Sequence, residues 1–309
     1  MPLLIRAIRE AIESRQRNPG GWSYAAHQDA IEPTCLAILS WRNQPGDYLG
    51  RAVDFIERAQ NPDGGWAAFT GDDQPSCWAT ALAVLSLIAV RPASKRLDRG
   101  IRWLVRNHGR EGDLLWQLKF RLVDRDVQFD PAKYGWNWIG GTTSWVIPTA
   151  FSLMALRRAK RRLSGGPDFT LRIHLGTAML LDRMCPGGGW NAGNGVAFGV
   201  PYSPYIDATS IALLALRGHE DQPGVLQSLF WLSRRIRGCP APYSLAWGLV
   251  ALAAYRDVNL RIKEVLAQTN QTLLAMVAER IDILDIATLA ISMLAIEALQ
   301  GENAFEIAT

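Results

Sequence analysis

The sequence is poor in side chains that bind metals or attack substrates: it holds four histidines and four cysteines in 309 residues. Cys35, Cys77, Cys185 and Cys239 stand far apart, with no CxxC pair. That spacing excludes a disulfide framework and a structural zinc motif, and a reduced, cytoplasmic setting is expected. An excess of one charge is also lacking. The 33 Lys and Arg are interspersed with 29 Asp and Glu, for a net charge of +4. This is no nucleic-acid footprint, and no nucleic-acid partner is expected. The exception is the basic block Arg157-Arg158-Ala159-Lys160-Arg161-Arg162, a candidate for peripheral contact with anionic lipid or diphosphate. Long apolar runs are missing as well. The longest, Ala79 to Val90, has 12 residues, whereas a membrane-spanning helix needs about 20. Met1 to Arg17 is amphipathic and charged, which does not read as a secretory leader. There is no strand-like alternation, no GxGxxG fingerprint and no GK[ST] phosphate loop.

What is present is repetition. Gln16-x3-Gly20-x-Trp22 recurs as Gln60-x3-Gly64-x-Trp66 and, with Met184 in place of Gln, as Met184-x3-Gly188-x-Trp190. Each copy ends an apolar, helix-periodic stretch. Gly just beyond a helix supplies the left-handed backbone that terminates it, and the Trp can fold back against helix ends. A second frame follows each turn. Thr34-x-x-Ala37-x-x-Ser40 returns as Thr80-x-x-Ala83-x-x-Ser86, Thr149-x-x-Ser152-x-x-Ala155 and Thr209-x-x-Ala212-x-x-Ala215. Weaker copies start at Trp247 and Thr288. These helices are apolar nearly all round, as expected of elements buried on both sides.

Chain length alone suggests about two domains, but a period of this kind overrides length. The pattern predicts an all-α fold: a single domain over 1–309 of six units, each an outer helix, a turn and an inner helix. Inner helices without a wet face favour a closed ring over an open solenoid. Gln117 to Gly141 interrupts the period and reads as a long connection or lid.

The Gln-x3-Gly-x-Trp elements resemble the QW repeats of terpenoid cyclases. Arg51-Ala52 precedes Gln60 by nine residues, and Arg99-Gly100 precedes His108 by the same count, placing His108 in a degenerate Gln position. The resemblance covers nearly the whole chain. It implies the α/α toroid shared by squalene–hopene cyclases and protein prenyltransferase β subunits, with room for one toroid.

In such a ring the inner helices start around one mouth. The residue two before each frame Thr is expected to face inward: Glu32, Trp78, Ile147, Asp207, Leu245 and Ile286. Helices one and four would place Glu32 and Asp207 across the opening from each other. The next rows are Leu36, Leu82, Phe151, Ile211, Leu249, Ala290 and Leu39, Leu85, Met154, Leu214, Leu252, Met293. Oily walls with acids at the rim suit a long apolar substrate, an isoprenoid or lipid. Trp136, Trp138, Trp145, Tyr202, Tyr205 and Tyr243 are expected near the mouth. Squalene–hopene cyclases carry their proton donor as the central acid of Asp-Xaa-Asp-Asp-Thr-Ala, which the resemblance maps onto Asp207 in Tyr205-Ile206-Asp207-Ala208-Thr209-Ser210. Tyr205 and Ala208 replace the flanking acids.

The resemblance therefore implies a cyclase-like enzyme with Asp207 and Glu32 as candidate acids and no cofactor. A prenyltransferase-like alternative would act on an allylic diphosphate, require Zn²⁺ or Mg²⁺ and work with a partner subunit. That family's Asp-x-Cys zinc pair is missing, which leaves His27 as a weak metal candidate. A third alternative is a non-catalytic toroid that holds a lipid or docks a protein.

Overall fold

The computed structural model describes residues 1–24, 28–44, 46–123, 128–162 and 169–307, apart from the side chains of Arg162 and Leu260. Two kinds of helix follow from two kinds of sequence. α2 (Ile31–Ser40), α4 (Cys77–Val90), α7 (Val146–Arg162), α9 (Ile206–Ala215), α11 (Pro242–Ala254) and α13 (Ile286–Leu299) are apolar nearly all round, save the basic end of α7 from Arg157. Every residue of α2 is buried, as is every residue of α4 from Ala79 to Ile88. α1 (Pro2–Ser14), α3 (Asp47–Arg58), α5 (Lys95–Arg106), α8 (Thr170–Asp182), α10 (Pro223–Arg235) and α12 (Leu260–Arg280) bury one stripe and wet the other. The first set packs in the order α2, α4, α7, α9, α11, α13, and α13 packs back on α2, closing the ring. The second set forms an outer layer, each outer helix preceding its inner partner in the chain. The fold is the expected all-α, six-plus-six α/α toroid.

One recurring turn joins outer to inner helix. The indole N–H of Trp22, Trp66 and Trp190 donates to the carbonyl of Ile12, Ile56 and Leu180, at 2.8, 2.7 and 2.6 Å. Each indole thereby satisfies a carbonyl near the end of its outer helix, where partners within the helix run out. The backbone N–H of the same Trp donates to the hydroxyl of Thr34, Thr80 or Thr209 at 2.9–3.0 Å. This is why the inner helices repeat a Thr. Gln60 closes the turn by donating to Gly64 O and Arg96 O, and Gln16 donates to Gly20 O and Tyr48 O. Gly64 sits at φ +103°, and a side chain there would press within 3.1 Å of the Arg99 carbonyl on the next outer helix.

A fourth turn was hidden by the interruption. Trp136 N–H meets Thr149 Oγ1 at 2.9 Å, and its indole reaches back to Leu104 O at 2.8 Å. His108 holds the Gln position of this turn: it stands four residues after Leu104, as Gln16 and Gln60 stand four after Ile12 and Ile56, and Gly109 N donates to Gly135 O as Arg17 N and Asn61 N donate to Gly21 O and Gly65 O. Trp136 is wholly buried and belongs to the scaffold rather than to the mouth. The connection that displaces it contains a short 3₁₀ turn (Arg110–Gly112) and α6 (Leu114–Leu122).

The frame is also corrected on the last two inner helices. The residue before α11 is Ala241 and the residue before α13 is Asp285, so the positions matching the frame Thr are Leu245 and Leu289. Neither helix has a Gly-x-Trp turn before it, and so neither needs a Thr to hold one. The mouth row therefore passes through Tyr243 and Ala287, not Leu245 and Ile286. The row below passes through Trp247 and Ile291.

Candidate functional site

Neighbouring inner helices start on a shared face: Ile31 N donates to Ala68 O, in the loop before α4, and Val146 N donates to Ala192 O, in the loop before α9. Glu32 lies in the first turn of α2 and is 9% exposed. One of its oxygens accepts from the Tyr24 hydroxyl, and the other accepts from the Tyr243 hydroxyl on α11 at 2.5 Å. Burial pushes the Glu32 pKa above the ordinary carboxylate value of 4.5; the two tyrosines pull it down, and the negative field of Asp285 on α13 adds to the rise. Loss of hydration thus wins over two charge-assisted hydrogen bonds. Burial and the Glu32 charge in turn raise the pKa of Tyr243 well above 10.0. Asp285 itself caps α13, accepting from Thr288 N and its hydroxyl at 2.9 and 2.8 Å.

Asp207 behaves differently. It is partly exposed in the first turn of α9, and its carboxylate turns back to accept from the adjacent Ala208 amide at 2.9 Å. Its charge acts on the Cys239 thiol. No hydrogen bond or ion pair joins it to Glu32. The expected pair of facing acids is thus a buried, tyrosine-clamped acid on one side and a solvated first-turn acid on the other.

The expected aromatics divide in the same way. Trp78 on α4 meets Trp138 edge to face at 5.7 Å, beside the Glu32 helix in the ring. Trp145, Tyr202 and Tyr205 come together at the starts of α7 and α9, around a cavity of about 310 Å³ that Phe129, Arg183 and Asn191 also line. The Arg183 guanidinium lies 3.8 Å from the Phe129 ring centroid, pairs with Asp182 at 2.5 Å and lies 3.5 Å from Glu111. Glu111 accepts from Ser144 N with both oxygens. Arg183 is therefore a neutralised strut between the long connection and α8.

The open apolar lumen expected from the sequence is packed shut at the rows named for it. Leu36, Leu39, Leu82, Leu85, Met154, Leu214, Leu249, Leu252 and Ala290 have no exposed surface, and Phe151, Ile211 and Met293 have at most 2%. The cause is a segment that sequence periodicity did not flag. After α13 the chain crosses the ring, held by Asn303 to Val250 O at 2.9 Å and Arg158 to Glu306 O at 3.0 Å. It inserts Phe305 with its ring 4.9 Å from Trp247 and 6.5 Å from Phe151.

The basic block is largely engaged in the fold. Arg157 donates to Ala215 O and Arg217 O at the end of α9, and Lys160 donates to Thr170. All four cysteines are free and buried, and burial pushes Cys35 and Cys77 up to about 12. Among the described residues no three His, Cys, Asp or Glu side chains converge on a metal position; His27 lies outside those residues. Among the described residues no helix is long and apolar enough to cross a membrane.

No family model matches the sequence. Among curated proteins, the chain is 22% identical over 228 residues to drimenyl diphosphate synthase from Streptomyces showdoensis, covering 62% of this chain and 42% of that protein. It is 30% identical over 128 residues to squalene–hopene cyclase from Zymomonas mobilis, covering 37% of this chain and 19% of that protein. The chain thus spans less than half the length of the curated relatives it matches. Among solved structures, ent-copalyl diphosphate synthase from Streptomyces platensis superposes with a TM-score of 0.60 at 16% identity, covering 88% of this chain and 50% of that one. An α-amylase from Clostridium perfringens superposes with a TM-score of 0.66 at 11% identity, covering 96% and 97%, so the fold alone also serves sugar chemistry. The ring architecture and these distant relatives support a terpenoid cyclase-like α/α toroid, at low identity.

Proposed function

We propose that this toroid is a cyclase-like enzyme that protonates a linear isoprenoid, with Glu32 rather than Asp207 as the acid. The observation that carries the reading is the buried Glu32 carboxyl with a tyrosine hydroxyl on each oxygen. Burial raises the Glu32 pKa, which favours the proton-bearing form that a general acid must have, at the rim of an apolar ring. In the first step the Glu32 carboxyl proton passes to the terminal C=C, whose π electrons form the new C–H bond. The tertiary cation left behind is attacked by the next C=C, closing a ring. The Trp78–Trp138 pair offers aromatic faces to the cation. Loss of a proton from carbon then ends the sequence. Tyr24, 37% exposed, links Glu32 to solvent for reprotonation. The names of the relatives support cyclisation as the reaction class, and the prenyltransferase-like alternative gains no specific support from the site.

The test is turnover of squalene and of farnesyl and geranylgeranyl diphosphates, read by mass spectrometry for wild type, Glu32→Gln and Asp207→Asn. A cyclic product lost in Glu32→Gln and retained in Asp207→Asn is expected. A product lost only in Asp207→Asn would return the acid to α9. The packed lumen favours a second reading, a non-catalytic toroid. It calls for no product from any substrate, with unaltered substrate retained on the protein.

A further inference from the structure

The cavity of about 310 Å³ beside the starts of α7 and α9 is separate from the acid site: neither Glu32 nor Tyr24 nor Tyr243 lines it. Its volume is at the low end for small-molecule sites, which run from about 300 to about 1,000 Å³. Trp145, Tyr202 and Tyr205 stand in its wall, each on a pinned backbone. Trp145 N donates to Trp136 O, Tyr202 N to Gly195 O and Tyr205 N to Trp190 O, at 2.8–2.9 Å. The Trp145 indole lies against Gly193, where an added Cβ would come within 3.2 Å of the ring. Asn191 closes the loop that carries Gly193, accepting from Gly193 N at 2.8 Å and donating to Asn194 O at 2.9 Å. The protein itself thus holds the wall in place, yet Tyr202 is 50% exposed and Tyr205 56%. Their rings and hydroxyls are open to a ligand.

The charges around the cavity are already spent. Among its lining residues only Arg183 and Glu111 are charged. The Arg183 guanidinium, 2% exposed, is answered by Asp182 and Glu111, and both Glu111 oxygens accept from Ser144 N. An ionic ligand, phosphate or amine, finds no free opposite charge there to offset its loss of water. What remains is neutral and polar: the tyrosine hydroxyls, the Thr143 hydroxyl, the Asn194 amide and the Arg183 Nε, which has no hydrogen-bond partner among the described residues. An isoprenoid would leave these groups unpaired. A sugar ring suits both halves of the wall. Its carbons carry oxygen, so its C–H groups are polarised toward the negative aromatic faces, and its hydroxyls both donate and accept.

We propose that this cavity is a binding site for an uncharged saccharide, with a pyranose ring stacked on the Trp145, Tyr202 and Tyr205 wall. The site does not rest on the proposed reaction.

The experiment is saturation-transfer-difference NMR of the full chain with D-glucose, D-mannose, cellobiose and maltose, with glycerol and farnesol as controls, followed by calorimetric titration of the best binder. Saturation of ring C–H protons in at least one of the four sugars is expected, and none in glycerol. Tyr202→Ala and Tyr205→Ala should each weaken that sugar about fivefold. Both side chains are about half exposed, so the circular dichroism spectrum and the Tm should stay as in wild type. Glu32→Gln should bind the sugar like wild type, because Glu32 does not line the cavity. The proposal is overturned if none of the four sugars binds, if binding survives both tyrosine changes together, or if glycerol gives the same signal. Farnesol bound in place of sugar, and lost in the same variants, would make the cavity part of the apolar site instead.

Discussion

Replacing Glu32 with Gln keeps the side chain's shape and one acceptor but removes its titration. The sign of the effect on stability follows from the raised pKa. Below the unfolded value of about 4.5 the carboxyl is protonated in both states, and its burial carries no charge penalty. Above it the unfolded chain releases the proton while the folded chain holds it. Wild-type stability must therefore fall relative to Glu32→Gln as pH rises from 4.5 to the folded pKa. The slope is up to about 1.4 kcal/mol per pH unit. Two hydrogen bonds to a charged acceptor, about 1.5–3 kcal/mol each, oppose this. Tyr243→Phe, which deletes one of them, should extend the falling window to higher pH. The assay is urea unfolding of wild type, Glu32→Gln and Tyr243→Phe from about pH 4 to about pH 8. Asp285, Tyr24 and Cys35 are common to all three, so their own titrations largely cancel in the differences. A difference between wild type and Glu32→Gln that stays flat would mean that the tyrosines balance burial, and one that rises with pH that they outweigh it. Glu32 would then be ionised and could not serve as the acid.

Two further outcomes test the scaffold. Thr80→Val preserves side-chain shape but strands the buried Trp66 N–H. It should cost about 1–3 kcal/mol, a fall in Tm of about 2–5 °C for a chain of this size by differential scanning calorimetry. Phe305→Ala should cost about 3–5 kcal/mol by chemical denaturation and open an apolar void between Phe151 and Trp247. Benzene should raise the Tm of that variant and not of wild type. A loss below about 1 kcal/mol would show that Phe305 is not the ring's filler.

Much of the fold was legible in the residues because its determinants are local. A Gly free to adopt positive φ, a Trp two residues on and a Thr in the next helix form one hydrogen-bonded unit, and its spacing survives in the sequence. Helices apolar on all sides announced burial on both sides, and hence a ring. The reading slipped where that unit is missing. α11 and α13 have no Trp turn before them, so their frames drifted by two residues and one, and Tyr243 was assigned to the mouth without its partner. Trp136 was misplaced because an insertion separates it from its outer helix.

The site was less legible because it is built from distant contacts. Asp207 and Glu32 look alike in sequence, each an acid in a first helical turn. Only the packing of α11 against the start of α2 puts Tyr243 on Glu32, 211 residues away, and buries that acid while leaving Asp207 solvated. The filling of the lumen was likewise a tertiary decision. Phe305 lies in a short aperiodic segment, and its burial depends on where Arg158 and Asn303 pin the chain across the closed ring. The sequence by itself determined which helices are inner and how they are stapled to the outer layer, because those choices are made by periodicity and near-neighbour hydrogen bonds. Which acid is desolvated, and whether the ring is open or plugged, depended on side chains that meet only after the ring has closed.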